Sequence, residues 1–205
     1  AWTASTLTTH DDWIHVLDET ELAEIDTVVS RLHHDDRPLG TLDRSDFPFD
    51  VLARTLERVG DELESGRGFK VLRGLPVDRY RESDIERVYW GIGQFLGNPM
   101  SQNRDGDLLG HVRDQGLDLT DATVRGYQTK RPLVFHSDSS DLVGLLCHRK
   151  AREGGLSKIV SSMTVHNVML DEAPELLETL YQPVYFDRRG EERAGVHPWY
   201  ALAVF

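Results

Sequence analysis

The chain has 205 residues, 39% of them hydrophobic and 28% charged, enough for one domain with a sizeable core. A net charge of −12 and a pI near 5.1 argue against a nucleic-acid or anionic-membrane partner, which would need a basic face. The single cysteine, Cys147, excludes an intramolecular disulfide. The opening AWTASTLTTHDDW lacks the basic start and apolar core of a signal peptide, and no apolar run approaches the ~18 residues of a membrane span, so a soluble cytoplasmic protein is expected.

Asp18-Glu19-Thr20-Glu21 has the form of a capping box, in which an N-cap carboxylate and a glutamate three residues on satisfy the first open N–H groups of a helix. Leu22, Ile25, Val28, Val29 and Leu32 then recur at helical spacing and paint one apolar face. That helix is expected to end at His33-His34-Asp35-Asp36, where imidazoles meet open carbonyls, a reading that accounts for the paired histidines without a metal. A second helix follows Pro48, carries Leu52, Leu56, Val59 and Leu63, and stops at Ser65-Gly66. Residues 68–74 alternate between two glycines and predict a strand. Ser83-Asp84-Ile85-Glu86 is a second capping box, opening a helix whose Ile85, Val88, Tyr89, Ile92, Phe95 and Leu96 are assigned to the core and which Gly97-Asn98-Pro99 closes. The first hundred residues thus read as helices packed around an early strand.

Beyond residue 100 the hydrophobic period changes. Residues 106–112 predict a strand, and residues 113–123 a long polar loop of the kind that often carries function. Short β-like runs follow at residues 133–135, 142–147 and 156–160, with Cys147 read as a small core residue. A helix over residues 162–170 and another begun by Asp171-Glu172-Ala173-Pro174 precede Val184-Tyr185-Phe186, the turn Asp187-Arg188-Arg189-Gly190-Glu191 and an apolar segment over residues 199–205. A chain stopping inside such a segment would leave an exposed edge, so the chain is expected to be truncated there.

The candidate chemistry lies in Pro132-Leu133-Val134-Phe135-His136-Ser137-Asp138, an apolar run that stops at a histidine and a carboxylate one residue apart. Side chains alternate along an extended strand, so His136 and Asp138 are expected on one side and Ser137 on the other. An imidazole beside a carboxylate supplies two corners of the 2-His-1-carboxylate triad, which leaves positions open on a non-haem Fe(II). His-Xaa-Asp also begins at His10, His33 and His34, so the pattern alone is weak; only His136 ends a β-rich run and is followed by another.

The stretch FHSDSSDLVGLLCHRKAREGGLSKIVSS, residues 135–162, resembles the Fe(II)/2-oxoglutarate-dependent oxygenases of the taurine dioxygenase-like (TauD/TfdA) family. His-Xaa-Asp, an apolar run, a polar turn and then Gly154-Gly155-Leu156-Ser157, which matches the family's Gly-Gly-Xaa-Thr/Ser, carry the resemblance. It implies an α+β protein built on a double-stranded β-helix (jelly-roll) core. Residues 1–205 would be a single oxygenase domain, with an N-terminal helical layer over 1–100 and a jelly-roll portion over 101–205 that is incomplete at its C-terminus.

The resemblance further implies that His136 and Asp138 are catalytic metal ligands for Fe(II), and that Ser157 hydrogen-bonds the co-substrate 2-oxoglutarate through the hydroxyl it shares with threonine. Gln102 and Asn103, after the long helix, are the candidate substrate-binding residues, with a polar loop as their plain alternative. The implied reaction consumes O2, decarboxylates 2-oxoglutarate to succinate, and hydroxylates, desaturates or cyclises an unactivated C–H bond of a small polar metabolite. A carboxylate at position 138 favours these outcomes over halogenation. His148, His166 and His197 each fit poorly as a third ligand, so the distal histidine and the arginine that pairs with 2-oxoglutarate are expected beyond Phe205. Partners are then a small-molecule substrate and, as an allowed arrangement, further copies of the chain in a homo-oligomer. Two other readings stand beside this one: a non-catalytic jelly-roll domain that binds a ligand or partner, and a cupin-like metalloenzyme that does not use 2-oxoglutarate.

Overall fold

The computed structural model describes residues 1–103, 106–118, 120, 124, 126–138, 140–188 and 195–205. Parts of the loop expected at 113–123 and of the turn expected at 187–191 fall outside these. Two compact units divide the chain. One comprises Ala4–Met100 with Asp138–Glu153, the other Ala1–Thr3, Ser101–Ser137 and Gly154–Phe205.

The unit built on residues 4–100 follows its hydrophobic periodicity. After a short helix α1 (Ala4–Leu7) and strand β1 (Ile14–Val16), helix α2 (Glu19–Leu32) opens on the expected capping box. Asp18 accepts from the N–H groups of Thr20 and Glu21, while the Glu21 carboxylate accepts the Asp18 N–H. Helix α3 (Val51–Ser65), strand β2 (Val71–Arg73) and helix α4 (Glu82–Gln94) complete the set. Helix α4 starts two residues earlier than its sequence suggests: Arg81, not Ser83, stands at the N-cap, and Asp84, not Glu86, closes the cap, its carboxylate accepting the Arg81 N–H at 3.3 Å. Strand β1, too short for a readable pattern, pairs in parallel with β2, Ile14 opposite Val71 and Val16 opposite Arg73.

The apolar stripes of the three long helices meet. Ile25, Val28 and Leu32 of α2, Leu52, Leu56 and Val59 of α3, and Ile85, Val88 and Trp90 of α4 are buried. Burying a side chain of this size contributes about 1.5–3 kcal/mol. Phe47 lies so close to Gly91 that a β-carbon there would come within 2.4 Å of the Phe47 ring, so glycine lets that ring reach the core beside α4. The Trp90 indole donates to the Leu42 carbonyl at 2.9 Å, which satisfies its buried N–H.

Polar ties hold the same helices. The buried Glu21 carboxylate accepts from Thr55 on α3 (2.6 Å) and stands 2.9 Å from His15 Nε2 on β1. Burial pushes its pKa upward, but the hydrogen bonds from Thr55, Asp18 and His15 outweigh that, and the net shift is downward. Glu24 of α2 accepts the N–H groups of Asp50, Val51 and Leu52 at 3.1, 2.8 and 2.9 Å, capping α3 from a neighbouring helix. At the far end of α2, His33 Nδ1 lies 3.0 Å from the buried carboxylate of Asp84. The His33-His34 pair is therefore not purely the solvated helix end expected from the sequence, because one imidazole ties α2 to α4.

In the other unit, helix α5 (Ser162–Glu172) is capped by Ser161, whose hydroxyl accepts the Thr164 N–H at 3.2 Å. Helix α6 (Pro174–Leu180) begins on its proline, where a missing N–H costs nothing, and buries Leu177. Strands β3 (Val184–Asp187) and β4 (Trp199–Leu202) pair antiparallel, with Phe186 opposite Tyr200 and their rings stacked at 5.3 Å. No helix among the described residues is long and apolar enough to cross a membrane.

The strands expected at residues 106–112, 133–135, 142–147 and 156–160 are not formed. The two ladders among the described residues are β1 with β2 and β3 with β4, so the structure is α+β with small sheets and shows no double-stranded β-helix. An extended apolar run becomes a strand only when a neighbouring strand takes up its N–H and C=O groups in a ladder, and among the described residues no strand ladders with these runs. Their side chains are correspondingly open, with Val134 82% and Leu156 88% exposed. Cys147, expected in a core, is exposed for the same reason.

Candidate metal centre

His136 stands at the end of its apolar run with its imidazole exposed and Nδ1 2.8 Å from the backbone carbonyl of Val134. A carbonyl oxygen only accepts, so Nδ1 carries the proton, and the neutral ring then has its lone pair on Nε2. Metal-binding histidines adopt this arrangement, one ring nitrogen oriented by a backbone carbonyl and the other facing the ion. Asp138 is also exposed. The boundary between the two compact units falls after Ser137, so His136 belongs to one and Asp138 to the other. Imidazole and carboxylate are borderline and hard donors that suit Fe(II), and the donor set present fits that ion as far as two ligands go.

Gly154 and Gly155 both adopt left-handed backbone, at φ of +70° and +71°, which side chains with a β-carbon resist. Ser157 is exposed two residues after this pair, its hydroxyl a candidate donor to a carboxylate ligand.

Gln102 and Asn103 are tied to Gly106 and Asp107. Asn103 uses both ends of its amide on one residue: Nδ2 donates to the Asp107 carboxylate at 2.7 Å, and Oδ1 accepts the Asp107 N–H at 3.1 Å. The Gln102 N–H donates to the Asp107 carbonyl at 2.6 Å, and Gly106 turns the chain at φ +86°. Asn103 therefore shapes the loop, whereas the Gln102 side chain is exposed on it.

The other histidines after the motif have different surroundings. His166 on α5 pairs with the Tyr181 hydroxyl and meets the edge of Phe205 at 5.2 Å. His197 stacks on Trp199 at 5.1 Å, and His148 is half-buried in the unit that holds Asp138. Among the described residues neither His166 nor His197 gathers with His136 into a set of three metal donors.

The spacing of Tyr89 places it on the apolar stripe of α4. Its flanking Val88 and Trp90 are indeed buried, but Tyr89 is half-buried with its hydroxyl against Gly144, in the run that follows Asp138. Nothing local in the sequence marks that contact, because the two positions are far apart along the chain.

Residues 35–205 match the family described as "Taurine catabolism dioxygenase TauD, TfdA family", a stretch that includes His136-Ser137-Asp138 and Gly154-Gly155-Leu156-Ser157. The chain belongs to this family. It is 36% identical over 205 residues to FR-33289 synthase of Streptomyces rubellomurinus, covering all of this chain and 60% of that protein. It is 27% identical over 194 residues to a taurine hydroxylase-like protein of Stachybotrys chartarum, covering 91% of this chain and 50% of that protein. The chain thus spans between half and three-fifths of the length of these relatives.

Proposed function

We propose that the chain is the iron-binding portion of an Fe(II)/2-oxoglutarate-dependent dioxygenase that oxidises an unactivated C–H bond of a small polar metabolite. The observation that carries this reading is the family match, which contains His-Xaa-Asp and Gly-Gly-Xaa-Ser in one continuous stretch. The tautomer of His136 supports it.

In this reading His136 binds Fe(II) through Nε2, held in orientation by the Val134 carbonyl, and Asp138 supplies a carboxylate that offsets part of the ion's charge. Ser157 donates its hydroxyl to 2-oxoglutarate, Gln102 hydrogen-bonds the substrate, and Asn103 holds the loop that presents Gln102. Bound iron supplies the oxidation, in which one atom of O2 ends in succinate with loss of CO2 and the other in the hydroxylated product. The protein's own task is to place one C–H bond and keep bulk water away. Of the outcomes open to such enzymes, hydroxylation is favoured by the relative described as taurine hydroxylase-like. The apolar runs of residues 101–160 complete a jelly-roll core when neighbouring strands pair with them.

Full-length protein given Fe(II), 2-oxoglutarate, O2 and a panel of amino acids and aminosulfonates is expected to release succinate in step with substrate loss, and His136→Ala is expected to abolish both. No succinate across the panel, together with metal binding indifferent to His136→Ala, rejects the reading. A weak visible band on adding 2-oxoglutarate to the anaerobic Fe(II) protein separates it from a metalloenzyme that does not use this co-substrate.

A further inference from the structure

We propose that Tyr89 is a positioning residue for Asp138, acting through its contact with Gly144. The proposal rests on the iron-binding reading above. Helix α4 and Asp138–Glu153 belong to one compact unit, yet no ladder among the described residues anchors the 138–153 segment. Its seat on α4 does so instead, at two points. A β-carbon at Gly144 would lie 2.5 Å from the Tyr89 hydroxyl oxygen, 3.4 Å from Cζ and 3.7 Å from Cε2, so the segment's backbone rests directly on the end of the phenol. Leu142 reaches the end of α4, its Cδ1 4.0 Å from the place a β-carbon at Gly97 would occupy.

Only glycine at 144 permits so close an approach, and burial raises the Tyr89 pKa, so the contact is made by a neutral phenol. Asp138 precedes Leu142 by four residues, a tether of at most ~14 Å. The seat of residues 142–144 therefore limits how far from α4 the carboxylate that binds iron can lie. Tyr89 does this through packing, without touching metal or substrate.

The distances make a compensation test possible. Alanine at 144 collides with the Tyr89 oxygen, whereas against phenylalanine at 89 its methyl would meet only the ring carbon, at an ordinary 3.4 Å. Co(II) binding to the full-length apoprotein under anaerobic conditions, by calorimetry and visible absorption, is compared with thermal melting for the parent, Gly144→Ala, Tyr89→Phe and the double variant. Gly144→Ala is expected to weaken Co(II) binding by about 10–100-fold, the range for disturbed support of a metal ligand. Tyr89→Phe alone, which withdraws the oxygen on which the segment rests, is expected to weaken binding by less than Gly144→Ala, and the double variant to recover most of the Gly144→Ala loss, the mark of a direct coupling. If Gly144→Ala does not fold, Tyr89→Ala, which removes the seat and leaves the glycine, is expected to show the same weakening.

A fall in melting temperature with Co(II) affinity unchanged in these variants overturns the proposal, leaving the contact as packing alone. A loss in Gly144→Ala that Tyr89→Phe fails to restore also overturns it. No Co(II) binding by the parent, or binding unaffected by His136→Ala, overturns the iron-binding reading and this proposal with it.

Discussion

Residues 4–100 and residues 101–160 are similar in hydrophobic character but opposite in what becomes of it. In the first region the central apolar side chains of α2, α3 and α4 are buried, and among the described residues Val16, Val71 and Met100 are the large hydrophobics left exposed. In the second, Met100's successors Val112, Leu117, Leu133, Val134, Phe135, Leu142, Val143, Leu145, Leu156, Ile159 and Val160 are all open. A helix satisfies its backbone within itself and needs a neighbour only for its apolar stripe, whereas an extended run needs neighbours for backbone and side chains alike. Helical regions therefore reach their packing with local material, whereas the β-like runs around His136 and Asp138 form no ladder among the described residues.

Substitutions sharpen this contrast. Leu56→Ala, at a fully buried position of α3, is expected to cost about 2–5 kcal/mol, read as a lower urea midpoint for the helical region. Glu21→Gln is expected to cost about 1–3 kcal/mol, because it weakens a buried acceptor shared by Thr55, Asp18 and His15. Since the folded carboxyl titrates below its ordinary 4.5, the stabilisation from Glu21 is present above that pH and is lost as pH falls through the lower folded value. Urea melts at pH 7 and pH 3 are expected to show that loss in the parent and a smaller one in Glu21→Gln. Removing the cap that Glu24 places on α3, in Glu24→Ala, is expected to cost about 1 kcal/mol, with faster amide exchange at Val51 and Leu52. Val134→Ala, on an 82% exposed side chain, is expected to change stability by less than about 0.5 kcal/mol. A loss there as large as that at Leu56 would show that the run is covered in solution, and the contrast would fail.

The legibility of the site follows the same division. His136-Ser137-Asp138 and Gly154-Gly155-Leu156-Ser157 stand out because each is a few consecutive residues whose chemistry needs no distant partner to be recognised, and the match over 35–205 agrees with the family they suggest. Asn103 could not be sorted from Gln102 in the sequence, since only the folded loop shows that Asp107 occupies its amide. Tyr89 has the spacing of a core residue, while its hydroxyl lies on Gly144.

By itself the sequence determined the three long helices, the cap at Asp18, the strand between glycines 68 and 74, and the short motifs that point to the family. Each of these is written within a few turns of chain, where 3.6-residue spacing, capping groups and glycine punctuation act locally. Tertiary structure alone decided that β1 pairs with β2, that Glu24 caps a helix other than its own, that His33 reaches Asp84, and that the runs at 106–112, 133–135, 142–147 and 156–160 are not strands here. These depend on which groups meet across long separations, and hydrogen bonds and close packing are formed between positions whose distance in space no local pattern encodes.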